Sequence, residues 1–308
     1  MVNGIVVINK VRGYSSYQTL QAVRQIFSSK KAGHSGTLDP QAEGVLPVCM
    51  GKATRLTEFI IELPKQYLAD ITLGRVTETG DAEGKVIKES AVPHLNKVQL
   101  ATIEKTFQGI QQQLPPLYSA LKYKGRPLYR WTREGKAVPR KSRTIEIYQL
   151  EIKSYRFNHE PQLTINLICS RGTYVRSLAV DIGNLIGCGA YLAALTRTAV
   201  GPYCIENSFT LDQLRQLEIK NQLEAAILPM DSALQHLPAL VMTDLELEKL
   251  QNGQTIDIFP EKPHSVFIDD LVYRLYNADG LFLALGKIMK HHEAYKIKTL
   301  KFLNTNLC

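Results

Sequence analysis

Cysteine is scarce and scattered in this chain. Cys49, Cys169, Cys188, Cys204 and Cys308 are odd in number and never stand in CxxC spacing. That argues against a disulfide framework and against a cysteine zinc site. Four of them sit in apolar surroundings, where a buried free thiol is expected, and a reducing cytoplasm fits this usage. Long apolar runs are also missing: VVI, FII and VLPVCM fall far short of the ~20 residues of a membrane-spanning helix. The opening MVNGIVVINK lacks the basic start, long apolar stretch and small-residue cleavage site of a signal peptide, and reads as a strand. There is no internal repeat, no low-complexity segment and no heptad seam, so a monomer is expected. HHE at 291–293 lacks the second histidine of HExxH, and no carboxylate–histidine cluster has metal spacing. GKAT at 51–54 imitates the end of a phosphate loop, but Gly44 stands too far upstream and Ala53 takes the hydroxyl position. Neither a metal nor a cofactor is expected.

What is present is positive charge, and it is local. The chain carries a formal net charge of +8. Residues 121–143, LKYKGRPLYRWTREGKAVPRKSR, hold nine Lys/Arg and one Glu, so this segment alone accounts for the excess. Tyr123, Tyr129 and Trp131 are interleaved with the basic residues, and Tyr118 precedes them. A solvated charge run rarely carries so many aromatics. Phosphate neutralisation combined with base stacking predicts a nucleic-acid contact here.

The periodicities give an α+β chain: a large mixed, mostly antiparallel sheet with flanking helices, plus a small C-terminal β-barrel. GIVVINK (4–10) reads as a strand. Ser15 and Gln18 form a capping box for a helix over about 16–28. VLPVCM is a strand, and a short helix follows at about 53–62. From Tyr67 the pattern alternates with glycine-bearing turns, as in consecutive hairpins. Residues 96–107 read as a helix. RTIEIYQLEIKSYRF and QLTINLICS are two long strands, and SRGTYVRSLAVDIGNLIG passes from a turn into a helix. HLPALVMTD reads as a linker, giving domains at 1–238 and 239–308. The second has one helix at 244–251 and then short strands to about 303.

The stretch AGHSGTLDPQAEGVLP (32–47) is a heavily punctuated loop. Gly33, Gly36 and Gly44 permit close backbone approach, Ser35 and Thr37 offer hydroxyls, and Asp39-Pro40 sets a turn. Taken alone, Asp39 is first of all a turn-former and His34 a surface or packed histidine. RGTYVR (171–176) can present Arg and Tyr side chains at a strand end, or simply start a helix. Tyr67 alone reads as a packed aromatic.

Together these segments resemble one family. GHSGTLDPQAEGVLP is similar to a motif of the TruB-class pseudouridine synthases, G-H-[ST]-G-x-L-D-P-x-A-x-G-x-L-P, at every fixed position. The resemblance continues through KQYLADITLG, PPLYSALKYKGRPLYRWTREG, CSRGTYVRSLAVDIG and GCGAYLAALTRTAVG, covering roughly residues 3–237. One departure stands out: the N-terminal motif usually reads [ND]-K-P-x-G-x-[ST]-S and here is NKVRGYSS, with Val11 in place of the proline. The resemblance implies a tRNA pseudouridine synthase acting on the T-arm uridine, position 55 in tRNA numbering, with no cofactor because the reaction is an isomerisation. It implies Asp39 as nucleophile, Arg176 as the cation that keeps it ionised, and Tyr67 as the residue that stacks on the flipped base and takes part in proton transfer. Tyr174 and Leu195 fall on substrate-pocket positions. His34 falls on the residue that fills the place the uridine leaves. The basic segment, with Lys122, Lys124 and Arg126, matches a thumb that clamps the T-arm.

The tail more weakly resembles the PUA domain, through LQNGQTI (250–256) and LFLALGKIM (281–289). Its net −1 suits phosphate poorly, though Lys287, Lys290, Lys296, Lys298 and Lys301 could share a face. A guide-RNA-dependent synthase of the same superfamily and a non-catalytic tRNA-binding or folding protein are the alternatives. The compact length without a Lys-rich tail favours the stand-alone enzyme. Only catalysis requires Asp39 and Arg176 together.

Overall fold

A computed structural model describes residues 2–119, 121–136, 138–259, 267–291 and 294–303. His292, Glu293 and Cys308, discussed above, lie outside them. Two sheets organise the chain. The larger has nine strands, seven of them in the order Gly4–Lys10, Glu43–Met50, Ala190–Val200, Lys65–Leu73, Gln162–Cys169, Arg143–Arg156, Gly109–Gln113. The short strands Ala32–His34 and Tyr203–Cys204 pair onto Glu43–Met50 and Ala190–Val200. Every pairing is antiparallel except one: Glu43–Met50 runs parallel to Ala190–Val200, through Thr196 opposite Glu43 and Arg197 opposite Gly44.

That parallel seam positions the site. Gly44 has φ of 100°, and a Cβ there would stand 2.2 Å from the Arg197 carbonyl oxygen, so only glycine lets the strands close. The loop preceding Gly44 leaves the sheet at this point, near its middle. On the other side of Ala190–Val200, the register sets Arg197 opposite Tyr67 and Leu195 opposite Ala69.

Helices cover the sheet in two groups. Ser16–Ile26 starts at the expected Ser15/Gln18 capping box and buries Leu20, Val23 and Ile26 with Val6, Ile8 and Leu46. Leu211–Ile219, which periodicity did not single out, packs there through Leu214. Lys97–Phe107 and Val175–Ile186 close a second core over Ile71, Ile165 and Leu163. The helix expected near 53–62 begins as a 3-10 turn over Gly51–Leu56 and becomes α-helical over Thr57–Glu62. Among the described residues no helix is long and apolar enough to cross a membrane.

The second sheet has five strands: Ala239–Val241, Val272–Tyr276, Phe282–His291, Ala294–Phe302 and Ile256–Ile258. It curls into a half-barrel around Leu247, Leu275, Leu283 and Ile297. Phe282, Leu285 and Leu303 meet Leu56 and Leu234 in a shared apolar seam with the main body. Tyr276 donates from its hydroxyl to Asp231 at 2.5 Å across the same seam.

Candidate active site

The 35–42 loop is held from beneath by the N-terminal segment. Ser16 Oγ donates to the Leu38 carbonyl at 2.9 Å and accepts from the Leu38 amide at 2.8 Å. Gly13 N donates to the Pro40 carbonyl at 2.8 Å. Lys10, only 1% exposed, donates to the carbonyls of Val11, Tyr14 and Pro40. Burial lowers its ammonium to about 8, against the pull of Asp39 and Glu43. Three groups of NKVRGYSS therefore grip the backbone on either side of Asp39, and the Val11 side chain takes no part, the residue being 45% exposed. Lys10→Met removes a buried charge along with its hydrogen bonds, so the loss of stability should stay below about 3 kcal/mol. Loop placement should suffer more. The expected result is a 10- to 100-fold fall in kcat with a melting temperature lowered by no more than about 6–12 °C, read by calorimetry and single-turnover kinetics. A normal kcat would show that the grip does not matter.

Asp39 faces Arg176. The guanidinium, 7% exposed, lies 3.0 Å from Asp39 Oδ2 and 3.2 Å from Asp81 Oδ2. It also donates to the carbonyls of Tyr118 at 2.7 Å and Thr79 at 3.4 Å. Arg176 stands in the first turn of Val175–Ile186, whose N-cap residue Tyr174 has no side-chain cap. Buried Gln113 fixes that turn by a two-way bond: its Oε1 accepts from Tyr174 N at 2.7 Å and its Nε2 donates to Tyr174 O at 3.0 Å. The Asp39 side chain is 49% exposed, yet protein crowds it on most sides. This desolvation pushes its carboxyl above the ordinary value, Arg176 pulls it down, and Asp81 and Glu83 push it up again.

A cleft of about 420 Å³ opens over this pair, lined by Asp39, Tyr67, Tyr174, Arg176, Leu195 and Arg197 among others. Tyr67 and Arg197 sit side by side on its floor. Arg197, 1% exposed, donates to the Val45 carbonyl at 2.7 Å and the Gly36 carbonyl at 3.2 Å, and stands opposite Tyr67 in the strand register. Burial raises the Tyr67 phenol, and Arg197 opposes that rise. Burial also raises Tyr174. Lys65, 6% exposed and lowered to about 8 by burial, donates to the Leu63 carbonyl at 2.6 Å at the same margin.

Five of the sequence-predicted residues thus converge: Asp39, Tyr67, Tyr174, Arg176 and Leu195. His34 is not among the lining residues. It lies on the Ala32–His34 strand, where its buried Nδ1 has no hydrogen-bond partner among the described residues, and burial followed by Arg197 lowers the imidazole. Lys122, Lys124 and Arg126 stand outside the cleft, in a hairpin of Lys122–Tyr123 with Arg126–Pro127 that leads into the helix Leu128–Arg133. Leu121 joins this segment to the cleft wall. Within the segment Glu134 takes both Arg126, with Nη1 at 3.1 Å, and Lys136 at 3.0 Å. These two cations, Arg126 first, lower the Glu134 carboxyl to about 2. The Trp131 ring lies 5.3 Å from Arg126 Cζ and 5.5 Å from Lys136 Nζ. Arg126 is therefore engaged with a carboxylate inside the segment, whereas Lys122 and Lys124 are exposed, Lys124 with its Nζ 5.6 Å from the Tyr123 ring centroid.

Comparison with known proteins identifies this arrangement. Residues 24–175 match the model of the TruB family pseudouridylate synthase N-terminal domain, and residues 176–235 match the tRNA pseudouridylate synthase B C-terminal domain. The chain is 42% identical over 290 residues to tRNA pseudouridine synthase B of Francisella tularensis subsp. tularensis, covering 94% of this chain and 92% of the relative. It belongs to the TruB family of pseudouridylate synthases. The corresponding protein of Francisella philomiragia is 43% identical over the same length. Among solved structures, a chain of a Cbf5–Nop10–Gar1 complex matches with a TM-score of 0.73 at 25% identity, over 98% of this chain and 85% of the other. A chain of an H/ACA RNP bound to a substrate RNA containing 2'-deoxyuridine matches with a TM-score of 0.72 at 23% identity, over the same shares, and that likeness shows the fold.

Several members of this TruB-family site were not singled out from sequence. Lys10 and Arg197 carried a faint signal, each a lone cation in an otherwise apolar strand, IVVINK and AALTRTAV. Burying such a charge requires partners, and both turn out to hold the loop or its neighbour. Asp81 and Gln113 carried none. TGD reads as a turn, and the bond from Gln113 to Tyr174 spans 61 residues of chain.

Proposed function

We propose that this chain isomerises uridine to pseudouridine at position 55 in the T-arm of tRNA, with Asp39 as nucleophile and Tyr67 beneath the flipped base. The observation that carries this reading is the Asp39–Arg176 ion pair of 3.0 Å at a cleft whose floor holds Tyr67. The cleft volume lies within the roughly 300–1,000 Å³ typical of small-ligand sites, enough to admit one nucleotide. Arg176 keeps the carboxylate ionised under the base, where desolvation would otherwise favour its protonated form. Asp39 then forms the covalent bond that lets the N1–C1′ bond break. The uracil turns, C5 bonds to C1′, the bond to Asp39 breaks to regenerate the carboxylate, and the C5 proton leaves while N1, freed from the ribose, takes up a proton from solvent. Tyr67 is the group placed to pass that proton, with the Arg197 guanidinium beside it. No atom is gained or lost, so no energy source or cofactor enters. Extruding the uridine costs a few kcal/mol, and stacking on Tyr67 returns about 1–3 kcal/mol of it.

The curated relatives at 42–43% identity carry the name tRNA pseudouridine synthase B, which favours tRNA over a guide-RNA-dependent substrate. Tyr174 and Leu195 hold the nucleotide, His34 occupies the vacated place in the RNA, and residues 121–143 grip the stem. We divide the chain into a catalytic part, 1–238, and a PUA-like part, 239–308, whose half-barrel starts at Ala239. Three of the five lysines at 287–301 are paired: Lys287 with Asp270, Lys296 with Asp257, and Lys301 with Glu58. We therefore assign the main phosphate grip to the thumb.

The test is tritium release from 5-tritiated uridine in a tRNA transcript and in an isolated T-arm hairpin. One equivalent should be released per molecule from each, and none when cytidine replaces the uridine at position 55. Release that persists in the cytidine transcript would overturn the assignment of position. For the thumb, Lys122→Gln and Lys124→Gln should each flatten the log K against log salt slope by about 0.9. Arg126→Gln should change it less, because Glu134 already neutralises that charge. Equal slopes in all three variants would refute the distinction.

A further inference from the structure

A second hollow, of about 190 Å³, meets the first at Asp39, Arg176 and Leu195, and Arg12 forms part of its rim. Arg12 belongs to a turn tied to the catalytic loop: Gly13 N donates to the Pro40 carbonyl, and Lys10 Nζ to the carbonyls of Pro40 and Tyr14. Three large side chains of this turn and the helix after it stand in solvent: Val11 at 45%, Tyr14 at 48% and Tyr17 at 65% exposure. Tyr17 projects from the first turn of Ser16–Ile26, away from its buried face of Ser16, Thr19, Leu20, Val23 and Ile26. The two tyrosine rings meet no other aromatic ring among the described residues. Arg12 donates through Nε to Gln41 at 2.8 Å, and Gln41 in turn donates to Glu83 at 3.1 Å. Of the acids around this hollow, Asp39 and Asp81 face Arg176 and Glu83 receives Gln41. The Nη groups of Arg12 are left toward the rim.

We propose that Arg12, Tyr14 and Tyr17 form a second RNA-binding lip, which receives the unpaired nucleotides adjoining the target uridine. The inference rests on the proposed function, and it deepens it by naming what enters beside the target. A strand whose one nucleotide occupies the large cleft must continue past Asp39, and the second hollow opens at that point. Exposed phenol rings next to an arginine suit single-stranded RNA. Each ring offers a face to a base whatever its identity, and the guanidinium meets the phosphate between them. Val11, in the motif-proline position, adds apolar surface to this lip.

The experiment measures binding of wild type, Tyr14→Ser, Tyr17→Ser and Arg12→Gln to a T-arm hairpin, and to the same hairpin with abasic nucleotides on either side of the target. Each tyrosine variant should weaken the intact hairpin roughly five- to 150-fold with an unchanged salt slope. Neither should weaken the abasic hairpin further. Arg12→Gln should flatten the slope by about 0.7, the value for one single-strand phosphate. Wild-type affinity in all three variants overturns the lip, including the case where these side chains serve a protein contact instead. Equal losses on both hairpins also overturn it, since they would reflect damage to the fold. If wild type itself released no tritium from the hairpin, the proposed function would fail. An active wild type with unaffected variants would remove the lip alone.

Discussion

Asp39→Asn is expected to cut tritium release from tRNA by roughly 10⁴-fold or more, the scale seen when a nucleophile is removed, while leaving tRNA affinity within a few-fold. The amide keeps the shape and the turn. Ala42 N still donates to the residue-39 carbonyl at 3.0 Å, and Ser16 and Lys10 still hold the backbone on either side. What disappears is the one carboxylate oxygen 3.0 Å from Arg176 that can form a bond to the nucleotide. Stability separates this outcome from misfolding. The folded carboxyl stands above its ordinary value of 3.8 because burial outweighs Arg176. A carboxyl raised on folding favours the folded state at pH below the unfolded value, and that favour is lost as pH rises through the folded value. At neutral pH the ionised Asp39 is therefore held against its own preference, and the asparagine variant should melt at the same temperature or higher. An inactive variant with a substantially lower melting temperature would point to loop collapse. A variant with wild-type turnover would remove Asp39 from the mechanism.

Arg176→Met should damage both stability and chemistry. The side chain satisfies two carboxylates and two carbonyls from a 7% exposed position. Removing one partner of a buried ion pair costs about 3–5 kcal/mol. The lower end applies here, because Asp39 is half open to water and keeps part of its solvation. A melting temperature lower by roughly 6–12 °C follows. The chemical effect has a sign that a packing defect lacks. Arg176 is the group that lowers Asp39, so without it the carboxyl rises further. The acid limb of kcat/KM should move to higher pH, with turnover down at least 100-fold at neutrality. Arg176→Lys should retain part of the stability, because it keeps the charge but loses the planar fork that spans Asp39 and Asp81. An acid limb unmoved in Arg176→Met would refute electrostatic control of Asp39.

Much of the main sheet was legible along the chain because several of its strands keep their own alternation. Gln162–Cys169 buries every second residue, and that pattern exists before any partner does. The Ser15/Gln18 cap, complete within four residues, was legible for the same reason. The site was legible only where a motif stands in one stretch, as in GHSGTLDP, or where a resemblance linked distant stretches. By residue type alone, Asp39 read as a turn-former and Tyr67 as packing. Both readings are physically correct and incomplete: Asp39 does form the turn, and Tyr67 is buried.

By itself, the sequence determined the local segments, the basic aromatic-laced insertion and the absence of any long apolar span, since these depend on neighbours within a few residues. The tertiary structure decided which charges meet. Arg176 reaches Asp39 across 137 positions, Arg197 lies opposite Tyr67 only through strand register, and Asp81 arrives from a hairpin with no distinguishing pattern. It also decided that Lys10 is buried beneath the loop, that Arg126 is engaged by Glu134, and that His34 is not among the residues lining the cleft. Ion pairs and desolvation act through space over a few ångströms, and no periodicity in a linear chain records which side chains the sheet will bring that close.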